Sequence, residues 1–445
     1  MKKALLLFCL VFFLFTKIYA QTINLEEARM HALANSHTLA RYNLAIRSSI
    51  LNERNRLYTM LPTLSATYSA SVSYLNEDRN FENPQDTFSA GAVFSITQII
   101  FEGGKNFIQK AISAIETEID RKGALAEYFN VLDAVDSAYY AALEAAANLK
   151  AEETALETAV LSLSIAEVRQ EFGLINMGDY LRALADKEAR ENSRNQARRN
   201  LALCMTRLRL LTGLSETIEL EEIDFLGYED LIQHFAGISD EDANLLFNDF
   251  FKILIDENPS IARAVLSTQR TERNLSLTKR DFSPTIRATI FSTAFNYSRA
   301  NGYSDTASGG VVISGNIPID FWVMANRIER SRIAHDSAIL DYIITRNSLE
   351  TDLQSALLNA FSQAESVLSS RRSLDYTERH FEFVMERYRL GQSSISDLGE
   401  ASLLLITSQN NLNKAIYGFL QSLSRLRTLG ALSDEEQLIT ILMGA

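Results

Sequence analysis

The five histidines, His31, His37, His234, His335 and His380, are scattered and lack the spacing of metal ligands or of a catalytic triad. No phosphate-binding loop and no nucleophilic serine elbow occurs. The pattern argues against an enzyme, and no metal or cofactor is implied. What repeats is a short set of charged and flexible residues. Arg169, Gly173, Asp179 and Ala183 have the spacing of Arg387, Gly391, Asp397 and Ala401, 218 residues later. Such a set does backbone chemistry. The glycine suits the left-handed position just past a helix end. The aspartate is placed to cap the next helix, its carboxylate accepting the free first-turn N–H groups. Each copy is expected to be the tip of a helical hairpin, at 173–179 and at 391–397.

Composition narrows the setting. Lys2 and Lys3 precede an almost wholly apolar run from Ala4 to Phe15, and Ala20 offers a cleavage site before Gln21, so residues 1–20 read as a secretory signal. The run is shorter than the about 20 residues of a membrane helix. Cys9 lies inside the signal and Gln21, not a cysteine, stands at the cut, which argues against a lipid anchor on a new N-terminal cysteine. The formal net charge is −13, and removing Lys2, Lys3 and Lys17 takes it to −16, a poor match for nucleic acid. The remaining thiol, Cys204, precludes an internal disulfide and, among Leu201, Leu203 and Leu208, reads as a small core residue. No later stretch is apolar enough for a membrane helix, but a secreted chain can also cross as a barrel.

The elements that hold the tips follow from periodicity. Residues 22–61 read as helix, capped by Asn24, broken near Asn35–Ser36 and stopped by Pro62. The period then changes to two. Leu64, Ala66, Tyr68, Ala70, Val72 and Tyr74 alternate with Thr63, Ser65, Thr67, Ser69, Ser71 and Ser73. After a polar loop, Asn76 to Asp86, a second alternating run carries Phe88, Ala90, Ala92, Phe94 and Ile96. These runs predict an antiparallel hairpin over about 63–98, and each exceeds the 9–11 residues a tilted strand needs to cross a bilayer. A hairpin in a soluble sandwich is the alternative, against which the strand length argues. From Lys105 to Phe172 the only Pro or Gly is Gly123, which predicts one helix roughly 100 Å long at about 1.5 Å per residue. The first tip and a helix to about Thr212 follow. Residues 215–243 read as an acidic connector with little periodicity.

Then the first half returns. Pro284–Thr285 matches Pro62–Thr63 at an offset of 222, and Arg425-Leu426-Arg427 matches Arg207-Leu208-Arg209 at 218. Residues 244–432 thus form a second repeat after 21–214, with a less regular hairpin over about 285–317, a loop at Asn296 to Ala307, and a long helix from about Trp322 to Leu390; 433–445 is a tail. Arg287 interrupts the alternation of that second hairpin. Four strands cannot close a barrel, and lipid forbids open edges. Identical copies must therefore complete it. Three would supply twelve strands with the hydroxyl-rich face toward a wet lumen, although symmetry asks only for a closed ring. A secreted coiled-coil spacer or periplasmic adaptor would explain the helices but not the alternation in the first hairpin.

In this order the residues resemble the TolC-like outer-membrane efflux factors. The likeness covers about Thr22 to Leu432. It rests on the signal peptide, Leu61-Pro62-Thr63-Leu64 before the first strand, Phe101-Glu102-Gly103-Gly104-Lys105 after the second, and the duplicated Gly-x5-Asp tip. It implies a mainly α fold with a membrane β-barrel part: a homotrimer whose twelve-stranded barrel continues into a periplasmic α-helical barrel. It implies an outer-membrane exit duct that catalyses nothing and conducts drugs and other small molecules passively for a tripartite pump. The partners would be a periplasmic adaptor and an inner-membrane pump of RND or ABC type; the family also serves type I protein secretion. By the same resemblance, Asp397 and Glu400 fall where members narrow the pore. Positions i and i+3 share a helix face, so three chains would crowd six carboxylates around one axis, which disfavours ionisation and attracts cations. Tyr388 and Asp179 match positions that link neighbouring hairpins and hold the entrance shut, and Gly173, Gly391, Arg169 and Arg387 mark the tips an adaptor would touch. Gly178 and Ser393 lack the usual link side chains, and Phe321-Trp322 stands where a Gly pair is expected. Trp322, the sole tryptophan, suits a membrane interface.

Overall fold

A computed structural model describes residues 21–75, 85–214, 218–223, 225–298, 302–304, 308–432 and 434–443. The expected signal segment, 1–20, and most of the first hairpin's expected loop lie outside the described residues. The chain divides into two compact units: Arg41–Ala124 with Pro259–Arg346, and Met1–Ala40 with Leu125–Asn258 and Asn347–Ala445.

The first of these units holds one antiparallel sheet. Strand β2 (Thr63–Leu75) pairs with β3 (Gln85–Phe101), β3 with β5 (Thr285–Ser298), and β5 with β7 (Gly309–Asn316). β3 thus runs several residues beyond its alternating stretch at each end, whereas β2 ends one residue past its own. The second hairpin is less regular for a definite reason. A register shift opposite Ala92/Val93 flips the parity of β5, so Ile290 lies opposite Ile96, whereas Phe295 lies opposite Ala92. Ile286, Ala288 and Ile290 therefore share the apolar face with Phe295 and Tyr297, which a strict period of two cannot reveal. Tyr68 meets Phe295 on that face, with ring centres 6.4 Å apart. Arg287 does not interrupt the pattern. It shares the opposite face with Thr289, whose hydroxyl lies 3.1 Å from that of Thr97. Nor is 296–307 simply a loop, because the short β6 (Gly302–Ser304) pairs with Asn296–Ser298.

Helices enter and leave the sheet on turns of two kinds. Gly103 and Gly104 both have positive φ, +62° and +74°, and a Cβ on Gly103 would lie 2.3 Å from the Ser283 side chain. Arg280 donates to the Gly103 carbonyl at 2.8 Å, and Lys105 pairs with Asp281 at 3.0 Å. At the corresponding junction after β7 no left-handed pair is used. The helix begins directly at Phe321, which stacks on Phe282, and Trp322 is exposed.

In the other unit, Gln21–Ile23 (β1) is not helix but a strand, parallel to Ile218–Leu220 (β4). Helix α1 (Leu25–Asn35) then starts on a full capping box of Asn24 and Glu27, and α2 (His37–Tyr58), which from Arg41 belongs to the sheet's unit, follows the break at Ser36. The long helix α3 (Lys105–Glu171) contributes Val135, Ala138, Tyr139 and Leu143 to the core around Ile23, Leu208 and Leu420. The acidic connector expected over 215–243 carries regular elements at its described positions. It contains β4, a 3-10 turn at Phe225–Tyr228, helix α5 (Glu229–Ala236) and the start of α6 (Asp240–Glu257), which runs across the expected boundary at 243/244. Here charge and anchoring coexist: Arg371 grips Glu229 with two bonds of 2.7 and 2.9 Å while α5 buries Leu231, Ile232 and Phe235. Helix α7 (Pro259–Lys279) belongs to the sheet's unit and leads to β5. The expected tail likewise folds as a helix, Glu435–Leu442, with Leu438 and Leu442 fully buried. Cys204 is half-buried rather than core, beside the exposed Leu203.

Candidate functional site

The tips lie where α3 turns into α4 (Met177–Thr212) and where α8 (Phe321–Arg389) turns into α9 (Ile395–Leu429). Both turns close in the same way. Gly173 and Gly391 have φ of +68° and +79°. The N–H after each glycine reaches back five residues, from Leu174 to the Arg169 carbonyl at 2.7 Å and from Gln392 to the Arg387 carbonyl at 2.8 Å. This is the Schellman closure, which satisfies carbonyls that the helix end would otherwise leave free.

The aspartates do not cap from the position expected. The caps are Asn176 and Ser394, whose side chains accept the N–H groups of Asp179 and Asp397 at 2.9 and 3.2 Å. Each aspartate is the third helical residue. Asp397 completes a capping box by accepting the Ser394 N–H, and it also accepts the Ser393 hydroxyl, both at 3.0 Å. The Ser394 N–H, then the Ser394 and Ser393 hydroxyls and the Arg387 charge, hold the Asp397 carboxyl below the usual carboxylate range. Asp397 and Glu400 are both exposed on α9.

The two tips touch. Ala166 of α3, Ala183 of α4, Val384, Met385 and Tyr388 of α8 and Ile395, Leu398 and Ala401 of α9 form one apolar cluster. Small residues let the helices approach, and the apolar ones fill the space. Tyr388 is 3% exposed, and its hydroxyl donates to the Ser162 carbonyl of α3 at 3.3 Å. Burial, first of all, pushes this phenol up. Arg169 reaches across in the opposite direction. Its guanidinium lies 4.9 Å from the Tyr388 ring centre and donates to the carbonyls of Tyr388 and, at 3.2 Å, Arg389. Hairpin one thus caps the C-terminal end of the long helix of hairpin two. Arg387 stays within its own tip, bonding the Gln392 carbonyl at 3.2 Å and lying over Phe383.

Sequence reasoning did not single out the residues most available to a partner. Phe172, Leu174 and Leu390 are 75%, 73% and 70% exposed around the two glycines. Their apolar character beside a helix stop was readable; their exposure was not. Ser394, three residues before Asp397, was a readable capping signature. Among the described residues no group of His, Cys, Asp or Glu is arranged to hold a metal.

Comparison with known proteins bears on the family and the fold. The family model described as "Outer membrane efflux protein" matches residues 29–214 and 252–431. Outer membrane protein TolC of Escherichia coli (strain K12) is 25% identical over 458 aligned positions, covering 94% of this chain and 84% of that protein. The Campylobacter jejuni CmeC outer membrane channel superposes with a TM-score of 0.76 at 16% identity, covering 94% of this chain and 88% of that one. The open state of the Neisseria gonorrhoeae MtrE outer membrane channel gives 0.68 at 16% identity, covering 92% and 88%. At such identities the superpositions show the fold, a helical barrel with a β-barrel part.

Proposed function

The chain belongs to the outer membrane efflux protein family, a non-enzymatic duct of the outer membrane that extends into the periplasm, and we propose that it works as a closed ring of three copies serving a tripartite pump. The observation that carries this reading is the sheet. Each copy has four long strands in the order β2-β3-β5-β7, so β2 and β7 are edges along most of their length. Lipid does not tolerate unpaired edge groups. Joining the β7 edge of one copy to the β2 edge of the next satisfies both, and twelve strands make a barrel wide enough for water. Its apolar face would meet lipid and its hydroxyl face the lumen.

The helical hairpins then surround the periplasmic mouth. Asp397 and Glu400 of three copies set six carboxylates around the axis, which narrow the entrance and favour cations. Tyr388 and Arg169 hold each pair of hairpins together, with Asp179 nearby in the first tip. A periplasmic adaptor engages the tips around Gly173, Gly391, Arg169 and Arg387 and loosens that contact. Drugs and other small toxic molecules then pass without energy input from the duct itself; the inner-membrane pump supplies it.

Mature protein extracted from outer membranes should be a heat-modifiable trimer by native mass measurement. In planar bilayers, replacing Asp397 and Glu400 with Ala should weaken cation preference and cation block. A water-soluble monomer would refute the ring, and unchanged selectivity would remove the two acids from the pore.

A further inference from the structure

Of the residues in the four long strands, only Asp86 and Arg287 are charged. Asp86 lies opposite Tyr74. Arg287 lies opposite Ile99, roughly 40 Å along β3 from Asp86 at about 3.3 Å per residue. It is therefore at the end of the sheet next to the helix junctions. The register fixes its face. Thr289, two residues on, shares a hydroxyl contact with Thr97, and Ser314 is directly opposite Arg287 on β7. Elsewhere on that face the hydroxyls satisfy one another, as Ser65 does with Ser95 at 2.7 Å and Ser71 with Ser89 at 2.8 Å. Arg287 is exposed, and no acid occupies this face among the described positions of the four strands.

We propose that Arg287, supplied once by each subunit, forms an anion-attracting ring in the barrel lumen at its periplasmic end. The inference rests on the trimeric duct proposed above. Twelve strands about 4.8 Å apart and tilted about 40° give a wall of about 75 Å circumference, hence a backbone radius of about 12 Å. That is close to the Debye length of about 10 Å at 0.1 M salt. Three guanidiniums projecting from such a wall bring most of the lumen cross-section within one screening length. Low-dielectric walls focus the field further. Rings of Arg are a known means of attracting anions and phosphates in pores. The duct would then carry two stations of opposite sign: acids at the tips and arginines at the base of the barrel. An anionic or zwitterionic molecule would be held at the second after passing the first.

The test uses full-length mature protein in planar bilayers at 0.1 M KCl, with inositol hexakisphosphate added on the extracellular side so that the probe meets the barrel before the tips. Wild-type current should be blocked. Arg287→Ser and Arg287→Gln should raise the half-blocking concentration at least tenfold and shift the reversal potential in a KCl gradient toward potassium selectivity. Arg287→Lys should keep both properties, and block should fade at about 1 M KCl, where screening shortens to about 3 Å. Trimeric channels of either neutral variant that block like the wild type overturn the ring of arginines alone. Failure of wild-type protein to form trimeric channels overturns the duct reading and this inference with it.

Discussion

Replacing Arg169 with Ala should loosen the second tip from a distance. The guanidinium donates to two carbonyls at the end of α8 and lies against the Tyr388 ring. A charged hydrogen bond is worth about 1.5–3 kcal/mol and an exposed cation–π contact about 0.5–1 kcal/mol. Arg169 is only half-buried, so the low end applies, and the sum is about 2 kcal/mol. With about 1.4 kcal/mol per factor of ten, local opening should become about 30-fold more frequent. The amides to follow by hydrogen exchange are those of Leu390, Gly391 and Gln392, which close the α8 terminus. Arg387→Ala is the control, because Arg387 bonds only within its own tip; exchange should change by no more than a few-fold. Tyr388→Phe removes one hydrogen bond to Ser162 and should give an intermediate effect, about 1 kcal/mol. If Arg169→Ala leaves these amides within about threefold of wild type, the contact does not hold the hairpins together and the argument from geometry fails.

Other perturbations have equally definite expected outcomes. Asp136 is fully buried and accepts four hydrogen bonds, two from Arg29 at 2.7 and 2.8 Å, one from Arg427 at 2.7 Å and one from Ser424 at 2.5 Å. Asp136→Ala leaves the buried Arg427 guanidinium without its acid and Arg29 with Glu26 alone, and should cost about 3–5 kcal/mol, seen as a lower denaturant midpoint; the longer and more exposed pair Arg425–Asp133, 3.5 Å, should contribute less than about 1 kcal/mol by the same measurement. Gly391→Ala places a Cβ at positive φ and should destabilise the second tip by about 1–2 kcal/mol, whereas Gly399→Ala, inside α9 with open space around its Cβ, should stabilise by up to about 1 kcal/mol. The Asp397 carboxyl is held below the ordinary aspartate value of 3.8. Its capping therefore contributes fully above that pH and is lost as pH falls through the lowered value. Intrinsic-rate-corrected exchange at the α9 start should stay constant from neutral pH to about 5 and quicken only in stronger acid, and Asp397→Asn should abolish that acid step.

How much of this was legible depended on sequence distance. The alternation of Thr63 to Tyr74 was readable because β2 pairs with β3 in unbroken register, from Thr63 opposite Thr97 to Leu75 opposite Gln85. The second hairpin hid behind one bulge. Before the bulge β5 keeps apolar residues at even positions, and after it at odd ones, so Arg287 looked misplaced although it lies on the polar face. The tip glycines were legible because positive φ is a local demand. The caps were misplaced by three residues because aspartate is favourable both at the cap and in the first turn. Nothing local marks Gln21–Ile23 as a partner of Ile218–Leu220, or Arg29 and Arg427 as partners of Asp136. Those contacts come from residues more than 100 positions apart. At the candidate site, the acids Asp397 and Glu400 could be placed on one helix face. The reach of Arg169 from the first tip to the second could not, because a repeat predicts likeness between copies and not contact between them.

Duplication in this chain preserved the backbone devices and released the charges. Both tips keep the left-handed glycine, the Schellman bond and an amide- or hydroxyl-bearing cap. Yet equivalent charged residues have separate roles. Arg427 is buried on Asp136, while Arg209, its counterpart at an offset of 218, bonds only Thr206 of its own helix and borders an open cleft of about 990 Å³. The Asp397 carboxylate accepts two bonds, from the Ser393 hydroxyl and the Ser394 N–H, and its own N–H donates to Ser394, whereas Asp179 only donates its N–H to Asn176. Arg169 spans the two tips, and Arg387 does not. Backbone closure is needed wherever a hairpin turns, so selection on the fold alone keeps it in both copies. In the proposed ring, a charge that lines the lumen or locks two hairpins is needed once per subunit, because symmetry multiplies it. On that argument the charges with unequal roles, Arg169, Arg287, Asp397 and Glu400, are where function should be sought, and replacing Arg169 or Arg387 by Ala should give unequal defects even though the two hold the same position in the repeat.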